Sequence, residues 1–164
     1  MKGFHRPLVA FLVLAIAHPP ARSEEVLLGK VRPKTILAIS GEWERTRDSY
    51  APAASDLRAL AGLSRKATLE VYFGSWCSDS QREVPRLLKI LDEAAPRCLN
   101  VRFYALDRSK KQPARLIEGV GIEKVPTFVL TVDGREIGRI VETPETTLEH
   151  DLALLIARIP AGRP

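Results

Sequence analysis

The sequence predicts an α/β fold, in which a mixed β-sheet carries helices on both of its faces. Runs rich in β-branched and aromatic residues alternate with longer runs whose apolar residues recur at helical spacing. Near the C-terminus, two strand-like runs flank Asp133-Gly134, which is a strong signal for a two-residue hairpin turn. A length of 164 residues and a hydrophobic content of 45% suit one globular domain.

Residues 1–17 have the pattern of a secretory signal peptide. Lys2 and Arg6 form a positively charged start, residues 8–17 are apolar, and residues 15–17 (AIA) offer a small-residue cleavage site. Because this apolar stretch is far shorter than the ~20 residues that span a bilayer, we expect no stable membrane span after cleavage. The mature protein is therefore expected to be periplasmic or secreted.

The rest of the chain is expected to form an N-terminal extension over residues 18–54 and one domain over residues 55–160. Several prolines open the extension, and we expect in it a short strand around residues 26–28 and a helix over residues 34–50 that Gly41 interrupts. Within that helix, the tryptophan is interpreted as a packing residue of the core rather than a binding residue.

The domain is expected to begin with a helix that Ser55 caps, followed by a strand over residues 68–73. The next helix is long and contains Pro85, which removes one backbone hydrogen bond and bends the axis. The strand after it should run parallel to the first, because a crossover helix joins the two. The remaining elements are expected at residues 99–106 (strand), 113–118 (helix), 127–132 and 136–141 (hairpin) and 146–159 (helix).

Cys77 lies where the first strand of this domain ends and the long helix begins. The first N–H groups of a helix have no internal partners, so they favour a thiolate at this position by about 0.3–1 kcal/mol. Ser80, one turn further on, is expected to donate a hydrogen bond to the thiolate, whereas the carboxylate of Asp79 repels it. We therefore interpret Cys77 as a nucleophile with modest activation.

The segment Trp76–Ser80 (WCSDS) resembles the W-C-x-x-C site of the thioredoxin family, with serine in place of the second cysteine. Three more features lie at family-like places: Pro85 in the helix after the cysteine, Val125-Pro126 where the family has its cis-proline, and Asp133-Gly134 in the closing hairpin. The resemblance covers roughly residues 67–158 and implies a thioredoxin-like fold. It is greatest to exported bacterial proteins with a WCxxS site.

Two departures from the family pattern predict a site with a single working thiol. The second cysteine, which releases a mixed disulfide in thioredoxins, is Ser80 here. Thioredoxins place a buried carboxylate six residues before the nucleophile, and this position is Val71 here. The side chain of the neighbouring Glu70 should point to the opposite face of the strand.

Cys98 should precede the neighbouring parallel strand, on the order of 20 Å from Cys77, which is too far for a disulfide. We interpret Cys98 as a buried small apolar residue.

The resemblance implies thiol–disulfide exchange through Cys77. Trp76 would shield the sulfur, Ser80 would stabilise the thiolate, and Val125 with Pro126 would hold the partner chain. The expected partners are protein thiols and disulfides or small thiols such as glutathione, with no cofactor.

The main alternative function is a binding module that keeps the peptide groove without turnover. A peroxide-reactive cysteine is a third, although the threonine that peroxiredoxins place three residues before the cysteine is a glycine here.

Other function classes have little support in the sequence. The formal net charge of +5 is mild, and basic residues are interspersed with acids, which does not favour nucleic-acid binding. The three histidines are His5, His18 and His150, and nothing places one of them against Cys77 as a protease would need. No metal-ligand spacing or phosphate-binding loop is present in the sequence.

Overall fold

A computed structural model describes residues 26–160 of the chain, so the predicted signal peptide lies outside the described residues. Five strands form one sheet in the order β1-β3-β2-β4-β5. No helix within the described part is both long and apolar enough to cross a bilayer. The elements are β1 (Gly29–Val31), α1 (Pro33–Leu37), α2 (Gly41–Ser49), α3 (Ala54–Ala61), β2 (Ala67–Phe73), α4 (Ser78–Ala94), β3 (Leu99–Ala105), α5 (Ala114–Ile117), β4 (Thr127–Val132), β5 (Arg135–Val141) and α6 (Leu148–Ala157).

Strand β2 lies at the centre of the sheet, parallel to β3 and antiparallel to β4. The outer strands, β1 and β5, pair antiparallel with β3 and β4. Asp133 and Gly134, which join β4 to β5, have φ angles of 50° and 76°, as a tight hairpin turn requires. The predicted α/β class, the parallel central pair and the hairpin are all confirmed.

Alternation along β2 separates two apolar clusters. Leu69, Val71 and Phe73 point into the main core, which α2, α3, α4 and α6 cover. Tyr72 points to the opposite face, where a smaller cluster receives α5 and the residues that follow it. Trp43 of α2 is 2% exposed and meets the ring of Phe73 edge-on, with 6.0 Å between ring centroids. The described part of the predicted extension therefore contributes to the core, as expected for Trp43.

Three local predictions in the N-terminal part were wrong. The short strand lies at Gly29–Val31 rather than 26–28, because these three residues pair with the end of β3. The single helix over 34–50 is two helices, and Gly41 begins the second instead of interrupting one. The N-cap of α3 is Ala53, not Ser55. The backbone N–H of Ala53 donates to a carboxylate of α6, which local sequence could not reveal.

Helix α4 begins immediately after Cys77, which is its N-cap residue. Pro85 lies inside the helix, as predicted, and is buried. The helix ends at Ala94, and Ala95 adopts a left-handed conformation with a φ of 43°. The apolar face of α4 packs on the central strand, so the helix is held with its N-terminus at the carboxyl end of β2.

Candidate thiol site

The sulfur of Cys77 lies against the loop that carries the second residue pair predicted for the site. Cys77 is half-buried, and its Sγ donates a hydrogen bond of 3.2 Å to the carbonyl oxygen of Val125. The peptide bond between Val125 and Pro126 is cis. Residues 48 positions apart in the chain thus meet at the carboxyl end of β2, where α/β folds gather reactive groups.

Trp76 lies beside the sulfur and is anchored by its own polar atom. Its indole Nε1 donates to the carbonyl oxygen of Leu106 at 3.0 Å. The ring also passes so close to Gly74 that a β-carbon there would stand 2.6 Å from ring atom Cε2. Glycine at this position is therefore required for the observed ring position, a requirement that sequence analysis missed.

Trp76 and Cys77 pack together on the smaller apolar cluster. The buried members of that cluster are Tyr72, Tyr104, Leu106, Val125 and Val129. The sulfur of Cys77 therefore contacts apolar side chains and is also partly exposed to solvent. Another sulfur atom can approach it from the solvent side.

Ser80 is fully buried and supports the loop before the cysteine. Its Oγ accepts a hydrogen bond of 3.2 Å from the backbone N–H of Gly74. Among the hydrogen bonds of residues 26–160, none joins Ser80 to Cys77, so donation from Ser80 to a Cys77 thiolate stays a prediction. The structure assigns Ser80 a different contact, which holds the turn that presents Cys77.

Ser75 ties two further segments to the same turn. Its Oγ accepts from the backbone N–H of Leu27 at 3.1 Å, and its carbonyl oxygen accepts from Nε2 of Gln81 at 3.0 Å. The chain just before β1 and the first turn of α4 thus both hold residues 74–77.

The position of the family's buried carboxylate is apolar here. Val71 has no exposed surface and belongs to the main core. Glu70 points to the other face, where its carboxylate accepts hydrogen bonds from Tyr72 at 3.2 Å and Tyr104 at 3.3 Å. Burial, together with the charge of Glu70, raises the pKa of both tyrosine hydroxyls. Both phenols therefore stay protonated at neutral pH.

The two cysteines are free and lie at opposite ends of the parallel strand pair. Cys98 precedes β3 and its Sγ donates to the carbonyl oxygen of Ser64 at 3.5 Å. Cys98 is half-buried rather than buried, because it borders an open depression at the amino ends of β2 and β3. Within residues 26–160, no group of three or more His, Cys, Asp or Glu side chains is arranged to hold a metal ion.

Two ion pairs lie on the segments that carry Cys77 and the cis-proline. Asp79, in the first turn of α4, pairs with Arg82 at 2.8 Å. This pairing offsets the repulsion that the Asp79 carboxylate exerts on a thiolate. Next to the cis-proline, Lys124 pairs with Glu142 at 2.6 Å, which raises the pKa of Lys124. The guanidinium of Arg108 lies 5.3 Å from the centroid of the Trp76 ring.

A five-stranded mixed sheet, a thiol that caps a helix and a cis-proline loop against the sulfur together define a thioredoxin-like protein. A family model described as Thioredoxin matches residues 37–153. The chain therefore belongs to the thioredoxin family.

Individual relatives are distant. A thioredoxin-like protein of Acanthamoeba polyphaga mimivirus is 24% identical over 94 residues, which are 57% of this chain and 66% of the viral protein. An HIV epitope-scaffold crystal structure matches with a TM-score of 0.60 and 17% identity, over 79% of this chain and 92% of the scaffold. A Pseudomonas aeruginosa protein of unknown function matches with a TM-score of 0.54 and 18% identity, over 73% and 82% of the two chains. The structural likenesses show the fold alone.

Proposed function

We propose that the protein carries out thiol–disulfide exchange with Cys77 as its single nucleophile. The observation that carries this proposal is the contact of the half-buried Sγ of Cys77, at the N-terminus of α4, with the carbonyl oxygen that precedes cis-Pro126. A partner chain that lies along this loop brings its own sulfur next to Cys77, and helix-end N–H groups stabilise the attacking thiolate.

The exchange step balances without a cofactor. The Cys77 thiolate attacks one sulfur of a partner disulfide, a bond forms between these two sulfurs, and the partner's own sulfur–sulfur bond breaks. The leaving sulfur departs as a thiolate and takes up a proton from water. Cys77 is oxidised to the mixed-disulfide level while the leaving sulfur is reduced. Because the position of the resolving thiol is Ser80, an external thiol must attack the mixed disulfide to release Cys77.

The partners proposed for this step are protein thiols and disulfides, or small thiols such as glutathione. To test the step, the protein lacking residues 1–17 is incubated with glutathione disulfide, and the adduct is located by mass spectrometry of peptides. We expect an adduct on Cys77 that a thiol reductant removes. Cys77→Ala should abolish it and Cys98→Ala should leave it, because Cys98 lies at the other end of the sheet. Modification of Cys98 alone would refute the proposal.

One observation favours the alternative of a binding module without turnover. The carbonyl oxygen of Val125 already accepts a hydrogen bond from Sγ of Cys77, so the cysteine has a contact within the fold that involves no covalent step. A module of this kind would bind extended peptides equally well when Cys77 is alanine and would form no adduct at any pH. Peptide binding measured beside adduct formation separates the two functions.

We also propose that the protein is exported, with residues 1–17 removed. The support is the pattern of that segment, which lies outside the described residues. Fractionation of the producing cell and N-terminal sequencing of the purified protein test the proposal. A product that retains its first residues in the cytoplasm would refute it.

A further inference from the structure

We propose that residues 107–115, called the basic segment below, recognise acidic residues that flank the cysteine of an extended polypeptide partner. This inference rests on the proposed exchange at Cys77 and specifies which substrates that exchange favours. The segment links β3 to the first turn of α5 and lies beside Trp76. Its basic side chains are Arg108, Lys110, Lys111 and Arg115.

None of these four side chains forms an ion pair within residues 26–160, whereas other basic residues of the domain do. Arg82 is paired with Asp79 and Lys124 with Glu142. Arg139 is paired with Glu136. The positive charge of the basic segment therefore remains available to a partner.

The one acid in the segment, Asp107, accepts hydrogen bonds from the backbone of its own loop. Its carboxylate accepts hydrogen bonds from the N–H groups of Ser109, Lys111 and Gln112, and from the hydroxyl of Ser109. These bonds lower the pKa of Asp107 to about 2, so its carboxylate stays ionised and is bound by the N–H groups of its own loop. The result is a loop that binds its own acid, while Arg108, Lys111 and Arg115 are exposed to solvent.

Arg108 connects the basic segment to the thiol. Its guanidinium stands over the face of Trp76, and the same indole donates to the carbonyl oxygen of Leu106 at the start of the loop. Trp76 in turn adjoins Cys77 in the chain and in the smaller apolar cluster. A carboxylate that pairs with Arg108 would therefore lie next to Trp76, the residue that precedes the reacting cysteine.

The surroundings favour a polypeptide over a small thiol. Beyond the sulfur, the smaller apolar cluster continues through Leu116, Ile117, Val120 and Ile122, all of which are only partly buried. These partly exposed apolar side chains can contact the residues that flank a partner's cysteine, which a small thiol lacks. The acidic residues Glu118 and Glu123 come after α5 in the chain, whereas Arg108 comes before it. Positive and negative charge are therefore separated along this part of the chain.

The test uses short peptides that carry one cysteine as a mixed disulfide with a chromogenic thiol. Three peptides differ only in the residues that flank the cysteine, which are acidic, neutral amides or lysine. We expect the acidic peptide to react with Cys77 about fivefold faster than the neutral one at low ionic strength, and the lysine peptide to react more slowly. Salt at about 0.5 M should remove most of the difference, because it screens exposed charges.

Substitutions locate the effect. Arg108→Gln should bring the acidic-to-neutral rate ratio close to one, because the ratio cancels any change in the rate common to both peptides. Arg97→Gln is the matched control, since Arg97 is an exposed cation at the opposite end of the sheet and should not change the ratio. Equal rates for the three peptides, or equal effects of the two substitutions, would overturn the proposal.

Two further arms separate this inference from the exchange itself. If no peptide reacts, the proposed exchange fails; the same peptides with serine in place of cysteine then test the surface by fluorescence anisotropy. Tighter binding of the acidic peptide, lost in Arg108→Gln, would support the basic segment, and equal binding would overturn it. If glutathione disulfide shows the Arg108 dependence and the acidic peptide does not, the polypeptide assignment is wrong.

Discussion

Tyr50 and Glu149 form a buried contact that joins the predicted N-terminal extension to the last helix. The hydroxyl of Tyr50 donates to Oε2 of Glu149 at 2.6 Å, and the N–H of Ala53 donates to Oε1 at 3.0 Å. Glu149 is 2% exposed. Burial by itself would raise the pKa of Glu149, but these hydrogen bonds outweigh it and hold the pKa below its usual value. The pair should therefore contribute substantially to stability.

Tyr50→Phe isolates the hydroxyl group. The ring remains in place beneath the guanidinium of Arg86, which lies 5.0 Å from its centroid, so only the hydrogen bond is lost. A hydrogen bond to a charged group contributes about 1.5–3 kcal/mol, and the variant leaves a buried carboxylate oxygen without this donor. We expect the free energy of unfolding to fall by about 2–3 kcal/mol. Glu149→Gln, which aims an amide N–H₂ at one of the two donors, should have a similar effect.

The assay is urea unfolding of the wild type, both single variants and the double variant at pH 7. We expect a coupling energy of about 1–3 kcal/mol between the two positions. Tyr104→Phe is the control, because its hydroxyl makes a longer bond of 3.3 Å to the more exposed carboxylate of Glu70. It should cost less than Tyr50→Phe. A coupling energy below about 0.5 kcal/mol would refute the account of the buried pair.

The pH dependence of the same measurement has a definite sign. Because the pKa of Glu149 is lowered by folding, its ionised form contributes stability that is fully present above the ordinary carboxyl pKa of about 4.3. That contribution is lost as the pH falls through the lower pKa of the folded state. The stability difference between wild type and Glu149→Gln should therefore be largest near neutrality and shrink in acid. A difference that grows in acid would contradict the sign.

Three further substitutions test other parts of the structure. Gly74→Ala should displace the Trp76 ring, shift its fluorescence and lower the free energy of unfolding by about 1–3 kcal/mol, measured in urea; an unchanged spectrum and stability would contradict the close approach. Trp43→Ala should remove about 3–5 kcal/mol by emptying its place against Phe73; a loss below about 1 kcal/mol in urea unfolding would show that Trp43 is not a core residue. Asp107→Asn should speed amide hydrogen exchange in residues 109–112, and unchanged exchange would refute the role of its carboxylate.

Much of the fold could be predicted from short stretches of sequence. The β-branched and aromatic residues of β2, the helical spacing of α4 and the Asp133-Gly134 turn each carry their own local signal, and the structure confirms all three. The start of α3 carried a misleading one. Ser55 is a good capping residue by type, but the N-cap of α3 is Ala53. The backbone N–H of Ala53 donates to the carboxylate of Glu149 in α6, a contact that no local pattern reveals.

Some features of the candidate site could likewise be recognised from the sequence, and others could not. Its cysteine was recognisable from the strand-to-helix junction, and its proline from the resemblance. The supporting contacts were not recognisable. Gly74 has no local signal beyond its type, since its necessity comes from the indole that lies over it. Glu149 and Glu145 look alike in the sequence, yet only Glu149 is buried beneath Tyr50.

By itself, the sequence determined the order of strands and helices from α3 onwards, the placement of one cysteine at a helix start and the absence of a second cysteine three residues later. These properties depend on backbone preference and side-chain periodicity, which act over a few neighbouring residues. Only the tertiary structure decided that the sulfur contacts the carbonyl of Val125, that Asp107 binds the N–H groups of its own loop, and that Glu149 is buried. The first and last of these contacts join positions 48 and 99 residues apart, and that of Asp107 depends on how its loop folds back; such contacts exist only once the chain has packed.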